Sequence, residues 1–142
     1  MELSLELGQQ ILATQPFSRH VGARLTHLAP GAAEIRLPLR EELCQQHGFA
    51  HGGVVAYLAD NTLTYAGGSM MGSACLTAEF KISYLRPAVG EELVARAQTV
   101  YVGRRQATCR CDVFALRDGK EVLCATALGT IARMDEPNRK EQ

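Results

Sequence analysis

One long, strongly apolar helix dominates the pattern of this sequence and limits the folds open to it. From Gly52-Gly53 to about Tyr65, side chains on one broad stripe recur at spacings of three and four: Val54, Val55, Leu58, Ala59, Thr62, Leu63 and Ala66. Several alanines keep the helix slim, which suits a curved sheet wrapped closely around it. The pair Gly67-Gly68 predicts the end of the helix.

The rest of the chain has mainly the pattern of β-strands. Residues 3–14 predict a short helix, which Gln15-Pro16 ends. Six segments have the composition or alternation of strands: residues 21–28, 32–37, 76–85, 92–102, 104–116 and 122–133. Asp118-Gly119 predicts a hairpin turn between the last two. This order predicts an α+β fold, with an antiparallel sheet of about five or six strands wrapped around one long central helix.

A single sheet leaves one face of that helix uncovered, so we expect a second copy of the chain to cover it, in a homodimer or a homotetramer. The length of 142 residues fits one domain spanning residues 1–142. Within it we expect an N-terminal helix in residues 1–16. The charged tail at residues 135–142 is expected to be disordered.

Charge and composition exclude several classes of partner. Fifteen basic and fifteen acidic side chains give a formal net charge of +0, so no domain-wide positive field attracts nucleic acid or an anionic membrane. The chain has no tryptophan and only 6% aromatic residues, which argues against stacking on bases. We therefore expect no nucleic-acid partner and no membrane partner.

The sequence predicts a cytoplasmic location. Two acids stand near the N-terminus where a signal peptide carries basic residues, and residues 43–78 are too polar for a membrane span. The chain has no CxxC motif. Its five cysteines are expected to be reduced, buried thiols: Cys44, Cys75, Cys109, Cys111 and Cys124.

Asp60 is the only Asp, Glu, Lys or Arg between residues 43 and 78. An aspartate within this apolar helix costs helix propensity and desolvation, and no cation stands three or four positions away to offset either. One interpretation is a carboxylate kept for chemistry at the rim of an apolar pocket. The other is a side chain on a solvated helix edge or bonded to the backbone.

The start of the helix is the second candidate element. Gly52 and Gly53 would leave N–H groups unpaired at the positive end of the helix dipole, which could stabilise an oxyanion. Alternatively, these glycines allow tight contact between helix and sheet. Gly52 and Asp60 are eight positions apart, which corresponds to a rise of about 12 Å. If both act on one carbonyl, they must come from two antiparallel helices across a dimer interface.

Three blocks of sequence together carry a resemblance. They are QQHGFAHGG at residues 45–53, Asp60, and LTAEFKISYLRPA at residues 76–88. With this spacing, the chain resembles the hotdog-fold thioesterases of the phenylacetyl-CoA and hydroxybenzoyl-CoA type over residues 17–133. The resemblance implies a hotdog fold that hydrolyses aromatic or short- to medium-chain acyl-CoA to a free acid and CoA. It implies no metal or redox cofactor.

The resemblance also implies roles for individual residues. The N–H of Gly52 would polarise the thioester carbonyl, and Asp60 would act as the nucleophile or as the general base. Gln45 stands where the family usually has asparagine and would help to place the carbonyl or the water. Thr77 would correspond to the strand Ser or Thr beside the carboxylate. For His51, two roles stay open, shaping the helix start or transferring a proton.

Three arginines are candidates for the phosphates of CoA, with solvated strand ends as the alternative: Arg86, Arg104 and Arg105. Gly53 is a further candidate for substrate binding. His47 and His51 are four positions apart, but Gly48 separates them in a loop and no neighbouring Cys or Asp completes a ligand set. We therefore expect no metal site.

Three other functions are alternatives to hydrolysis. A hotdog hydratase or dehydratase resembling the fatty-acid enzymes would carry a His in a proline-rich loop and a Glu on the helix, where this chain has Asp60. A non-catalytic acyl-CoA-binding protein usually has an attached effector domain. A purely structural oligomer would gain nothing from a lone aspartate in an apolar helix.

Overall fold

The computed structural model describes residues 3–72 and 74–134. These residues form three α-helices, one short 3₁₀ helix and six strands, in the order α1 Leu5–Ala13, α2 Pro16–Val21, β1 Arg24–Ala29, β2 Ala32–Pro38, the 3₁₀ helix Glu41–Leu43, α3 Gly52–Met71, β3 Cys75–Tyr84, β4 Glu92–Val102, β5 Gln106–Arg117 and β6 Lys120–Arg133. The predicted tail at residues 135–142 lies outside the described residues.

All six strands form one antiparallel sheet in the order β1-β2-β4-β5-β6-β3. Helix α3 packs against every strand, so the sheet wraps around it. Leu58 and Leu63 of the helix and Ile35, Leu93 and Ile131 of the sheet are fully buried in the resulting core. This confirms the predicted α+β architecture with one long central helix.

The central helix is longer than predicted, because Gly67-Gly68 does not end it. Helix α3 continues to Met71 and ends at Gly72, whose φ of 67° is the left-handed conformation that favours glycine. Gly67 has another role: a Cβ placed there would lie 3.1 Å from Cβ of Ile131 and 3.2 Å from Sγ of Cys109. The missing side chain lets the helix approach the sheet closely.

The N-terminal region contains two helices where the sequence predicted one. Ser4 caps α1 by accepting a hydrogen bond from the Leu7 N–H at 3.1 Å. Pro16, interpreted from sequence as a stop, instead begins α2, since proline is tolerated in the first helical turn. Helix α2 ends at Gly22, which has a φ of 83°. Strand β1 therefore begins later than predicted.

Strand β3 is an edge of the sheet. It pairs with β6 on one side, and on its other side no strand of the described chain pairs with it. Leu76 and Tyr84 are exposed on it, at 60% and 55%. A ten-residue edge with exposed apolar side chains is a surface that proteins commonly cover.

An ion-pair network crosses the sheet away from α3. Glu34 contacts Arg36 at 3.0 Å and Arg96 at 2.7 Å, and Arg96 also contacts Glu121 at 2.6 Å. Burial acts to raise the pKa of Glu34, but hydrogen bonds from Thr26, Arg96 and Arg36 outweigh it and lower that pKa to about 2. The folded state therefore strongly favours the ionised form of Glu34.

Cys109, Cys111 and Cys124 are buried, as predicted, and burial raises the pKa of each thiol. Cys44 and Cys75 are half-buried. In the described ranges, no helix has both the length and the apolar character needed to cross a membrane.

Candidate active site

Asp60 forms a cluster with two threonines where α3 faces β3. The hydroxyl of Thr77, on β3, donates a hydrogen bond to Oδ1 of Asp60. The hydroxyl of Thr64, one turn further along α3, donates to the Asp60 backbone carbonyl at 2.9 Å and lies 3.0 Å from the Thr77 hydroxyl. Thr77 was implied by the resemblance. Thr64 was missed, although its spacing of four from Asp60 places it on the same helix face.

The carboxylate of Asp60 is half-buried, and within the described ranges no Lys, Arg or His forms an ion pair with it. The Asp60 side chain accepts a hydrogen bond from a side chain of β3, whereas one alternative interpretation of the sequence had it bonded to the backbone. One oxygen is held by Thr77, and the carboxylate is in part accessible. An anchored, accessible carboxylate without a counter-charge can act as a base or a nucleophile.

His51 caps the helix that carries Asp60. Its Nδ1 accepts a hydrogen bond from the Gly53 N–H at 2.8 Å, so the Nδ1 atom is unprotonated in this arrangement. The sequence predicted two unpaired donors, at Gly52 and Gly53, but this cap uses the second. The Gly52 N–H has no acceptor among the residues that the structure describes. It is the donor left for a ligand.

Tyr84 positions the same turn and was not predicted from sequence. Its hydroxyl, at the end of β3, donates to the Gly52 carbonyl at 2.9 Å. Its ring would lie 3.6 Å from a Cβ at Gly52, which is ordinary van der Waals contact. Sterics within the chain therefore do not require glycine at this position.

A cavity of about 460 Å³ lies at this end of α3, and we name it the loop cavity. Three predicted site residues line it: Gln45, Gly52 and Arg86. The carboxamide oxygen of Gln45 accepts a hydrogen bond from the His47 N–H, which holds the side chain against its own loop. The loop is closed by a hydrogen bond from the His51 N–H to the Leu43 carbonyl at 2.8 Å.

The structure does not bring Gly52 and Asp60 together within one chain. They lie on the same helix, with a rise of about 12 Å between them. Asp60 and Thr77 form one half of the predicted site, and Gly52 and Gln45 form the other half.

The candidate arginines are also divided between the two ends of α3. Arg86 lines the loop cavity at the N-terminal end. Arg104 and Arg105 lie in the hairpin between β4 and β5, where the Arg105 carbonyl accepts from the Arg133 N–H at 2.8 Å. Arg133 in turn donates to the Met71 carbonyl at 2.9 Å, at the C-terminal end of α3. All three candidates are exposed.

For the part of the chain in residues 3–72 and 74–134, no group of three or more His, Cys, Asp or Glu side chains could hold a metal ion. His51 engages Gly53, and the Gln45 side chain engages the backbone of His47. The groups available for chemistry here are one carboxylate, hydroxyls and a backbone donor.

Known proteins resemble this chain in sequence and in fold. The profile of the thioesterase superfamily matches residues 47–122. A Deinococcus radiodurans protein named "Putative esterase" is 35% identical over 121 residues, which cover 84% of this chain and 80% of the relative. The crystal structure of a thioesterase family protein from Silicibacter pomeroyi is 39% identical and superposes with a TM-score of 0.84, covering 87% of this chain and 92% of that one.

A second solved structure adds a relative with a named role. It is a mutant of the phenylacetic acid degradation protein PaaI from Thermus thermophilus, 34% identical, with a TM-score of 0.74. The match covers 84% of this chain and 100% of that chain.

Proposed function

The chain belongs to the thioesterase superfamily, and from that premise we propose that it hydrolyses acyl-CoA thioesters to a free carboxylic acid and CoA. The observation that carries this proposal is the half-buried carboxylate of Asp60, held by Thr77 and without an ion-pair partner in the described chain. Membership of the thioesterase superfamily supports an acyl-CoA as the substrate. The proposed reaction requires no metal and no redox cofactor.

In the proposed reaction, the Gly52 N–H donates to the thioester oxygen as negative charge develops on it. Asp60 either attacks the carbonyl carbon to form an anhydride, which water then hydrolyses, or removes a proton from an attacking water. The C–S bond breaks, and CoA leaves as a thiolate that takes up a proton. Thr77 keeps the carboxylate oriented, and Gln45 helps to place the carbonyl or the water.

We place this chemistry in a site shared by two subunits. Gly52 and Gln45 would come from one subunit, and Asp60 and Thr77 from its partner. The rise of about 12 Å between Gly52 and Asp60 supports this, since one helix cannot bring both to one carbonyl. Strand β3, which carries Thr77, supports it as well, because one of its edges pairs with no strand of the described residues.

The division of the arginines fits such a dimer. If the two α3 helices run antiparallel, the C-terminal end of one lies beside the N-terminal end of the other. Arg104 and Arg105 of one subunit would then lie at the same end as Arg86 of the partner subunit. In this arrangement both subunits could contribute charge to the CoA phosphates.

Asp60→Asn tests the proposed role of the carboxylate. We expect the fold and oligomeric state to persist while kcat falls by a factor of about 10² to 10⁴, the range for loss of a positioned acid–base group. The assay is thiol release from phenylacetyl-, acetyl-, octanoyl- and palmitoyl-CoA. Glu79→Gln is the matched control, because it removes one negative charge from an exposed residue of β3 that bonds Thr130 at 2.6 Å.

Near-wild-type turnover by Asp60→Asn would contradict the assignment of Asp60. Saturable binding of acyl-CoA by the wild-type protein, with no thiol released from any of the four substrates, would favour a non-catalytic acyl-CoA-binding protein instead.

The shared site is tested by mixing two inactive variants, Asp60→Asn and Gln45→Ala. In a mixed dimer with shared sites, one site contains both substitutions and the other contains neither. Activity should therefore return to about half of the wild-type value per dimer. The variants are co-expressed with different tags, and the purified heterodimer is assayed against each parent. If heterodimer forms and no activity returns, each site is built within one subunit.

A further inference from the structure

The first turn of α3 is held on both sides of Gly52. The peptide group that precedes Gly52 is fixed by its carbonyl, which belongs to His51 and accepts from the Val54 N–H at 3.0 Å. The peptide group that follows Gly52 is fixed at both of its polar atoms. Its N–H, from Gly53, donates to Nδ1 of His51 at 2.8 Å, and its carbonyl accepts from the Tyr84 hydroxyl at 2.9 Å. Of these four polar groups, only the Gly52 N–H has no partner in the part of the chain that the structure describes.

Two consecutive glycines, Gly52 and Gly53, leave the first turn of α3 with little restraint of its own. Glycine rotates about φ and ψ more freely than any other residue, because it has no Cβ. A donor stabilises a developing oxyanion best when it is already aimed at the position that the oxygen will occupy. A donor at this turn therefore depends on side-chain contacts to hold its direction.

Tyr84 supplies such a contact from the end of β3. A Cβ at Gly52 would lie 3.6 Å from Cε1, Cζ and the hydroxyl oxygen of Tyr84, so the ring edge and the hydroxyl both face this glycine. Tyr84 also lines the loop cavity beside Gly52. The side chain is 55% exposed, so water can replace its hydroxyl at the Gly52 carbonyl. The bond therefore contributes little to folding and mainly sets the direction of the peptide group.

We infer that Tyr84 is a positioning residue of the reaction, an inference that rests on the proposed hydrolysis. Its hydroxyl holds the peptide group that follows Gly52, and thereby keeps the Gly52 N–H aimed at the thioester oxygen. Thr77, which holds the Asp60 carboxylate, lies on the same strand. Strand β3 therefore orients both reactive groups of its own subunit, and in the proposed shared arrangement these two groups belong to different sites of the dimer.

Tyr84→Phe tests this role, since it removes the hydroxyl and keeps the ring beside Gly52. We expect kcat for phenylacetyl-CoA and octanoyl-CoA to fall about three- to tenfold, the range for loss of one neutral hydrogen bond. KM should stay within about twofold, because the hydroxyl bonds the backbone and not the substrate. Tyr101→Phe is the matched control: it removes the same atom from a tyrosine of β4 that is 69% exposed and lies outside the loop cavity. Its kcat and KM should match those of the wild type.

A second measurement reports the direction of this peptide group without any substrate. In isotope-labelled protein, the assigned amide resonances of Gly52 and Gly53 should shift or broaden in Tyr84→Phe, because the peptide group between them loses its hydrogen bond. The phenyl ring has nearly the same ring current as the phenol, so such a shift reports the backbone. Gly119, in the turn between β5 and β6, should keep its resonance. Tyr101→Phe should leave all three glycine resonances unchanged.

The outcomes separate this inference from the function on which it rests. If the wild-type protein releases no thiol from any acyl-CoA, the proposed hydrolysis fails and the inference fails with it. In an active protein, an unchanged kcat in Tyr84→Phe, with or without a raised KM, would overturn the inference alone. Unshifted Gly52 and Gly53 resonances would also overturn it, since the donor would then keep its direction without the hydroxyl. Resonance shifts throughout the protein, with a lowered Tm, would assign the loss to general structural damage and would overturn it as well.

Discussion

Thr77→Val should slow the proposed reaction without unfolding the protein. Valine nearly matches threonine in shape but cannot donate to Oδ1 of Asp60. A hydrogen bond to a charged group contributes about 1.5–3 kcal/mol, which corresponds to about 10- to 150-fold in rate if the bond holds the carboxylate in its reactive position. The loss should appear mainly in kcat, because Thr77 contacts the carboxylate, whereas the arginines proposed to bind CoA lie elsewhere.

The measurement is thiol release under saturating and limiting acyl-CoA, together with thermal unfolding of each variant. Thr77→Ser keeps the hydroxyl and should stay within about threefold of the wild type, a change smaller than the loss of one hydrogen bond. Thr64→Val should have the smaller effect of the two valine variants, since the Thr64 hydroxyl donates to the backbone of Asp60 rather than to its carboxylate.

Two results would refute the reasoning about Thr77. Wild-type turnover in Thr77→Val would mean that the hydroxyl does not position Asp60 for the rate-limiting step. Equal impairment in Thr77→Ser, which keeps the hydroxyl, and Thr77→Val, which lacks it, would assign the effect to a displaced strand rather than to the lost hydrogen bond.

Two further predictions concern stability. Gly68→Ala should stabilise the protein by up to about 1 kcal/mol in urea unfolding, because alanine favours the helix. Gly67→Ala should leave the protein about 1–2 kcal/mol less stable than Gly68→Ala, because its Cβ would press on Ile131 and Cys109. Equal effects would contradict the close approach at Gly67. Because the pKa of Glu34 is lowered from 4.5 to about 2 on folding, its contribution, up to about 3 kcal/mol, is present above pH 4.5 and is lost as the pH falls toward 2. Glu34→Gln should flatten this pH dependence, and an unchanged slope would exclude Glu34 as its source.

The sheet and the central helix could be predicted because they follow local periods. Apolar side chains alternate with period two along the strands and recur with period 3.6 on α3, and both patterns indicate which side chains are buried. These side chains are buried where the sheet and the helix pack on each other. Glycine and proline were less informative. Gly67 was predicted to end the central helix, but it allows close packing of that helix on the sheet. Pro16 was predicted to end a helix, but it begins one. Glycine and proline each occur in both situations, and only the surrounding structure decides between them.

By itself, the sequence identified Asp60 as an isolated carboxylate in an apolar helix and Gly52 as a donor at the start of that helix. Only the tertiary structure decided that His51 occupies the Gly53 N–H and that Tyr84 holds the Gly52 carbonyl. These contacts join segments far apart in the chain, or depend on the rotamer of a capping side chain. The Tyr84 contact is set by how β3 packs on α3 and the His51 contact by the rotamer of the capping side chain, and no local pattern encodes either.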